Sequence, residues 1–187
     1  MRITFAALLS ALLIVTLAGC RDDNCIDLSG AASYCLLPAE QAPTVSLTQQ
    51  VQLDWNEQRF TLLSVLEADQ KNTTLVMLNP VGQTLFSVKQ DAQGVTTKAA
   101  MKLPSGFDPK ILLAMIQLAL WPEQKIRAGL APASCLRLEV APDSRQLKCD
   151  GQPVLSVSYR NAQLTSYQLK WFSVPLQIEA TAVNEAN

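Results

Sequence analysis

From Thr44 to Trp55 the chain alternates. Val45, Leu47, Val51, Leu53 and Trp55 fall on odd positions with polar residues between them, and only Gln49 interrupts the series. A period of two puts these side chains on one face of an extended chain, so the stretch predicts a β-strand with one buried side. Arg59–Glu67, Thr73–Leu78 and Thr84–Val88 are further short apolar runs, and Gly94 starts a weaker one reaching Ala99. The Asn-, Gln-, Gly- and Pro-containing breaks between them have the spacing of an antiparallel meander. The same pattern resumes in Cys135–Val140, Arg145–Cys149, Val154–Tyr159 and a long run over Leu164–Ile178. Asp150-Gly151 is a hairpin-turn pair, and Asn161 with Ala162 is a weaker one.

Between the two strand groups the period changes. Asp108 is placed to cap a helix, Pro109 suits its first position and Pro122 stops it, which predicts a helix over Lys110–Trp121. Pro122–Leu130, with Lys125 and Arg127, predicts a second, short one. In the first helix Ile111, Leu112, Leu113, Met115, Ile116, Leu118, Leu120 and Trp121 surround nearly the whole circumference. A surface helix keeps a polar side, so this one is buried on most sides or faces an apolar ligand. Strands, then helices, then strands predict an α+β fold: a strongly curved antiparallel sheet, a half-open barrel, wrapped around one or two central helices. A solid sheet-on-helix core without a cavity satisfies the same periodicity.

The N-terminus reads differently. Arg2 precedes an apolar run from Phe5 to Ala18 broken only by Ser10 and Thr16, shorter than the roughly 20 residues of a membrane span. It ends in Leu17-Ala18-Gly19-Cys20, the pattern of a bacterial lipobox. Residues 1–19 are therefore expected to be a lipoprotein signal peptide, and Cys20 the lipid-attachment residue. A thioether-linked diacylglycerol and a palmitate-type N-acyl chain, at about 0.8 kcal/mol per buried methylene, make such an anchor effectively permanent. Arg21 follows Cys20, and the acidic Asp22 and Asp23 come only afterwards. Because Asp directly after the acylated cysteine is the inner-membrane retention signal of enteric-type lipoproteins, the expected destination is the periplasmic face of the outer membrane. Residues 20–43 are small and polar, with Gly30, Pro38 and Pro43, and suit a tether; residues 44–187 then form a single domain.

Cys25, Cys35, Cys135 and Cys149 remain, an even number in an oxidising compartment. Cys135 and Cys149 flank a predicted hairpin and Cys25 and Cys35 share one segment, so the two local pairings are expected. A loop of about 15 residues closed in this way contributes roughly 3 kcal/mol in the chain-entropy model. The four thiols lack the C-x-x-C spacing of a metal or redox site.

Composition narrows the chemistry. The 187 residues carry 15 Lys plus Arg against 16 Asp plus Glu, so no overall field draws the chain to nucleic acid. Histidine is absent, which removes the usual neutral-pH base, the Ser-His-Asp and Cys-His arrangements and His-containing zinc sites. No G-x-S-x-G, S-x-x-K or phosphate-cradling glycine loop is found. Glu67, Asp69, Asp91, Glu123, Glu139 and Asp143 sit mostly at predicted strand ends and turns, where solvated surface is the ordinary role. The reading is of a non-enzyme without cofactor or metal. Trp55, Trp121 and Trp171 suit either a ligand pocket or the core.

Two runs carry a resemblance: Pro80 to Phe86, within Leu75-Val76-Met77-Leu78-Asn79-Pro80-Val81-Gly82-Gln83-Thr84-Leu85-Phe86, and Gln117 to Pro122, after Asp108-Pro109. Over most of the mature chain the sequence resembles an uncharacterised family of bacterial lipoproteins. Members are commonly encoded in aryl polyene gene clusters beside a LolA-like carrier, and are similar in general plan to the outer-membrane lipoprotein LolB. The resemblance implies a periplasm-facing acceptor of an acyl or polyene lipid or lipoprotein, with a LolA-like carrier as partner. Phe86, Met115, Leu118 and Trp121 are the expected ligand-lining residues. The alternative is a non-catalytic adaptor lipoprotein that holds an envelope biosynthetic complex at the membrane.

Overall fold

A computed structural model of the chain describes residues 24–29, 32–103, 105, 107–130, 135–161, 164–172 and 176–183. The expected signal peptide and Cys20 lie outside the described residues.

Two short strands come first, β1 (Cys25–Ser29) and β2 (Ala32–Cys35), paired as an antiparallel hairpin with Cys25 opposite Cys35. The alternating stretches that follow become β3 (Val45–Trp55), β4 (Gln58–Ala68), β5 (Thr73–Leu78), β6 (Thr84–Asp91) and β7 (Gly94–Ala99). Two helices, α1 (Lys110–Leu120) and α2 (Glu123–Gly129), lead to β8 (Leu136–Ala141), β9 (Ser144–Cys149), β10 (Gln152–Tyr159), β11 (Tyr167–Trp171) and β12 (Leu176–Ala182). The β3–β4 turn holds Asn56 and Glu57 at φ 48° and 66°, and the predicted Asp150-Gly151 turn has φ 49° and 81°. Two successive positive φ values match the right-handed twist of the flanking strands. The single run expected over Leu164–Ile178 is instead two strands, β11 and β12. Apolar residues lie on both sides of their connection, so hydrophobicity alone does not mark the break.

All ten later strands form one antiparallel sheet in the order β7-β6-β5-β4-β3-β12-β11-β10-β9-β8. Each half is a meander, and the last strand closes against the first of the series, Leu176 opposite Trp55 and Ala182 opposite Gln49. Laid flat at about 4.8 Å per strand, such a sheet is roughly 43 Å wide, far more than the 10–12 Å of a helix. Yet α1 reaches both wings. Gln117 Nε2 donates to Gln90 Oε1 of β6, and the end of α1 accepts hydrogen bonds from Arg145 of β9 and Tyr159 of β10. Val88 of β6 and Leu138 of β8 belong to the same buried cluster as the helix. The sheet therefore curves around α1, while its edges β7 and β8 stay unpaired with each other, so the barrel is not closed.

Eight consecutive residues of α1, Leu112 to Ala119, are buried. At its start Asp108 Oδ1 accepts from the Lys110 N–H at 2.9 Å, while Pro109, expected at the first helical position, takes the N-cap position expected of Asp108. At its end the carbonyls that have no partner within a helix are met from the sheet. Arg145 donates to Leu118 O at 3.1 Å and Trp121 O at 2.7 Å, and Tyr159 Oη–H to Ala119 O at 2.6 Å. The Arg145 guanidinium also lies 5.6 Å from the Tyr159 ring centre.

The side of α1 away from the sheet is covered by the N-terminal hairpin and α2. Leu28, Tyr34, Leu36 and Leu37 are buried, Trp171 Nε1 donates to Leu28 O at 2.7 Å, and Tyr34 bridges to Leu130 after α2. A methyl group on Gly129 would meet Cys35 O at 2.9 Å, which shows how closely α2 approaches β2. The folded body thus takes in residues 24–29 and 32–43, read from sequence as tether. Of that tether, only residues 20–23 and 30–31 lie outside the described residues.

Burial raises the Tyr159 hydroxyl to about 12 and drives those of Tyr34 and Tyr167 up as well, while hydrogen bonds hold Asp54, Asp69 and Asp91 below the usual carboxylate range. The phenols ionise near 10 in the unfolded chain, so their contribution is complete below pH 10 and is lost as the pH climbs through their raised folded values, about 12 for Tyr159. For the aspartates the folded value is the lower one, so their contribution is present above about pH 4 and fades as pH falls. With no histidine in the sequence, thermal melting midpoints measured from pH 5 to 9 are expected to stay level and to fall on either side.

Candidate functional site

An open groove of about 770 Å³ lies at the end of the sheet where α1 begins. Its floor is Leu53 and Trp55 at the end of β3, Leu62 of β4 and Phe86 of β6, all under 10% exposed. Inward-pointing positions of neighbouring strands supply them, the expected result of the period-two pattern. The opposite wall is formed by Met101, Leu103 and Phe107, from between β7 and α1, which lie over the floor. Phe107 meets Trp55 edge-on at 5.5 Å between ring centres and Phe86 at 6.0 Å. Offset and edge-on pairs of this kind are the favoured aromatic geometry.

Polarity is confined to the rim. Gln58, Arg59, Thr61, Lys102 and Ser105 are exposed there. Arg59 is already paired, donating to Asp54 at 2.7 and 3.0 Å. Lys102 has no ion pair or hydrogen bond with any described residue. The groove therefore runs from a buried apolar floor to a wet, cationic mouth.

Elsewhere the space is different in kind. Beneath α1, between Gln49, Ser64, Leu112 and Ile116, the interior void is about 20 Å³. A cleft of about 410 Å³ around Glu139, Gln146, Ser156 and Ser158 is lined largely by polar side chains of β8 to β10.

Of the four expected lining residues, Phe86 is in the groove. Met115, Leu118 and Trp121 are 0–2% exposed and pack in the core, outside the groove lining. Periodicity left two readings of the apolar helix, and α1 takes the first, being enclosed by protein on all sides. Trp55 lines the groove, whereas Trp171 is tied to the N-terminal hairpin. Sequence reasoning missed Leu53, Leu62 and the wall of Met101, Leu103 and Phe107. The sequence signal for that wall was Met101, Leu103 and Phe107 in a Pro- and Gly-containing stretch too short to bury them by itself.

Cys25 with Cys35 and Cys135 with Cys149 stand at disulfide distance, the two local pairings. The one three-residue group of metal-ligand type among the described residues, Cys135, Cys149 and Asp150, consists of the second disulfide and a neighbouring carboxylate. The carboxylates considered for acid-base work are spread over the surface: Glu123 pairs with Arg127, Glu139 with Lys148 and Asp91 with Lys89, and Glu67 accepts from Ser46. Among the described residues no helix is long and apolar enough to cross a membrane.

A family model described as a protein of unknown function, DUF3261, matches residues 46–182. The chain belongs to the DUF3261 family. No curated protein matches it. The DUF3261 region starts one residue into β3 and ends on the last residue of β12, so it comprises the ten-stranded sheet, both helices and the whole groove. The β1–β2 hairpin with its disulfide lies outside that match.

Proposed function

We propose that this DUF3261 protein is a lipoprotein anchored through Cys20 at the periplasmic face of the outer membrane. There it binds a hydrophobic acyl or polyene lipid, or the acyl part of a lipoprotein, in exchange with a LolA-like carrier. The observation that carries the reading is the 770 Å³ groove with its buried aromatic and aliphatic floor. A concave, mostly apolar space with a few polar groups at its mouth is the ordinary form of a site for a small hydrophobic ligand. A chain of a dozen methylenes transferred into it gains roughly 10 kcal/mol before the costs of ordering are subtracted. The sheet curved around a helix and open along one side is also the arrangement that the resemblance to LolB implies. The site lies at the mouth and not along α1, so the lining proposed is Phe86 with Leu53, Trp55, Leu62 and Phe107.

The test is native mass spectrometry with lipid extraction on the mature chain from Arg21 onward, which retains every described residue, exported in a strain making its natural lipids. A bound acyl or polyene species at fixed stoichiometry is expected. Met101→Glu combined with Leu103→Glu, at two lining positions that are not buried, is expected to release it with little change in melting temperature. An empty protein that also ignores added lipid would transfer the assignment to the adaptor reading, which the solid packing around α1 favours.

A further inference from the structure

The groove has a size and a charge as well as an apolar floor. At roughly the 30 Å³ that a water-sized group such as a methylene occupies in a liquid, 770 Å³ holds about 25 such groups. Between its walls the groove thus encloses about one long chain, and a second chain of a membrane phospholipid would lie outside them, against water. The charged residues of the lining are Arg59 and Lys102, two cations and no acid, in a chain whose acids slightly outnumber its bases. Arg59 is neutralised by Asp54. Lys102 stands exposed beside Leu103 and Met101 with its charge unmatched among the described residues.

From these observations we infer that the ligand is a single-chain amphiphile with an anionic head, its chain laid along Trp55, Phe86 and Phe107 and its head at the Lys102 ammonium. The assignment rests on the groove being a lipid site and narrows what enters it. Burial of the chain supplies affinity, and the lysine fixes which end stays in water, since an anion carried to the floor would lose its hydration without a partner. Diacyl lipids and the multiply acylated end of a lipoprotein would leave apolar chains outside the groove walls, and neutral chains lack the contact at the mouth.

Displacement of the uncharged dye N-phenyl-1-naphthylamine from the mature chain tests this, with each competitor below its micellar concentration in low salt. Palmitate is expected to displace the dye about fivefold more tightly than methyl palmitate, the upper range for one exposed ion pair. Raising salt to 0.5 M is expected to shrink that preference. Lys102→Glu is expected to abolish it and Lys102→Arg to keep it, with melting temperatures equal to that of the natural chain showing that both variants are folded. Lysophosphatidylglycerol displacing as palmitate does supports the same assignment with a phosphodiester as the head. Equal affinity for palmitate and methyl palmitate, or displacement by dipalmitoyl phosphatidylglycerol at the same concentration, overturns it while leaving a lipid site in place. If the dye and every chain fail to bind, the lipid-site reading itself falls.

Discussion

Gln117→Met is expected to lower stability by about 3–5 kcal/mol, although it exchanges one buried side chain for another of similar size. The amide is the one polar group on the buried face of α1, and all four of its hydrogen-bonding positions are used. Oε1 accepts from the Leu37 N–H at 2.9 Å and the Tyr34 hydroxyl at 3.1 Å; Nε2 donates to Leu37 O at 3.1 Å and Gln90 Oε1 at 3.3 Å. A thioether leaves these four partners buried and unmatched, at about 1 kcal/mol each, the lower end of the cost of an unsatisfied buried group. For a chain of this length the melting midpoint should fall by about 10 °C. Hydrogen exchange should show amides of residues 24–42 losing protection before those of β3 and β4, because Gln117 ties the N-terminal segment to helix and sheet together. Uniform loss of protection along the chain would refute the local role.

Arg145→Met is expected to cost about as much, by a different route. The residue is 8% exposed, and its guanidinium holds two carbonyls at the end of α1 where the helix dipole is negative. Hydrogen bonds from a charged donor contribute about 1.5–3 kcal/mol, and the contact with Tyr159 adds up to about 1 kcal/mol. Arg145→Lys should recover only part, since an ammonium lacks the planar fork that spans Leu118 O and Trp121 O. Urea denaturation of the three proteins, ranked natural, Lys, Met, checks this; a Met variant as stable as the natural chain would show that the carbonyls find other partners.

Both predictions concern residues that periodicity does not single out. The pattern of apolar positions located β5 and β7 with their observed ends, and placed β3, β4 and α1 within a residue at either end, because each has one environment per face. It could not locate contacts that depend on distant segments meeting. Gln117 looks like a flaw in an apolar helix until Leu37 and Tyr34 arrive from 80 and 83 residues away. The β1–β2 hairpin was hidden by its polar composition. Its alternation of Ile26 and Leu28, then Tyr34 and Leu36, on either side of Ser29 and Gly30 was the available signal, reinforced by the two flanking cysteines. The groove was half legible: Phe86 and Trp55 were named, while the all-apolar helix drew the expected site inward to Met115, Leu118 and Trp121. Hydrophobicity records that a side chain is covered and not whether protein or ligand covers it.

The pairing of β12 with β3 has a consequence in time. Leu176 and Trp55, which face each other at the centre of the sheet, are made far apart in synthesis. Until the last strand emerges, the β3–β7 meander has an open backbone edge in what becomes the middle of the sheet, and the apolar helix has only half its enclosure. Long-range closures of this kind slow folding and leave edges available to other chains. Loss of the last seven strand residues should thus be far more damaging than their number suggests, since it leaves two half-sheets without a seam.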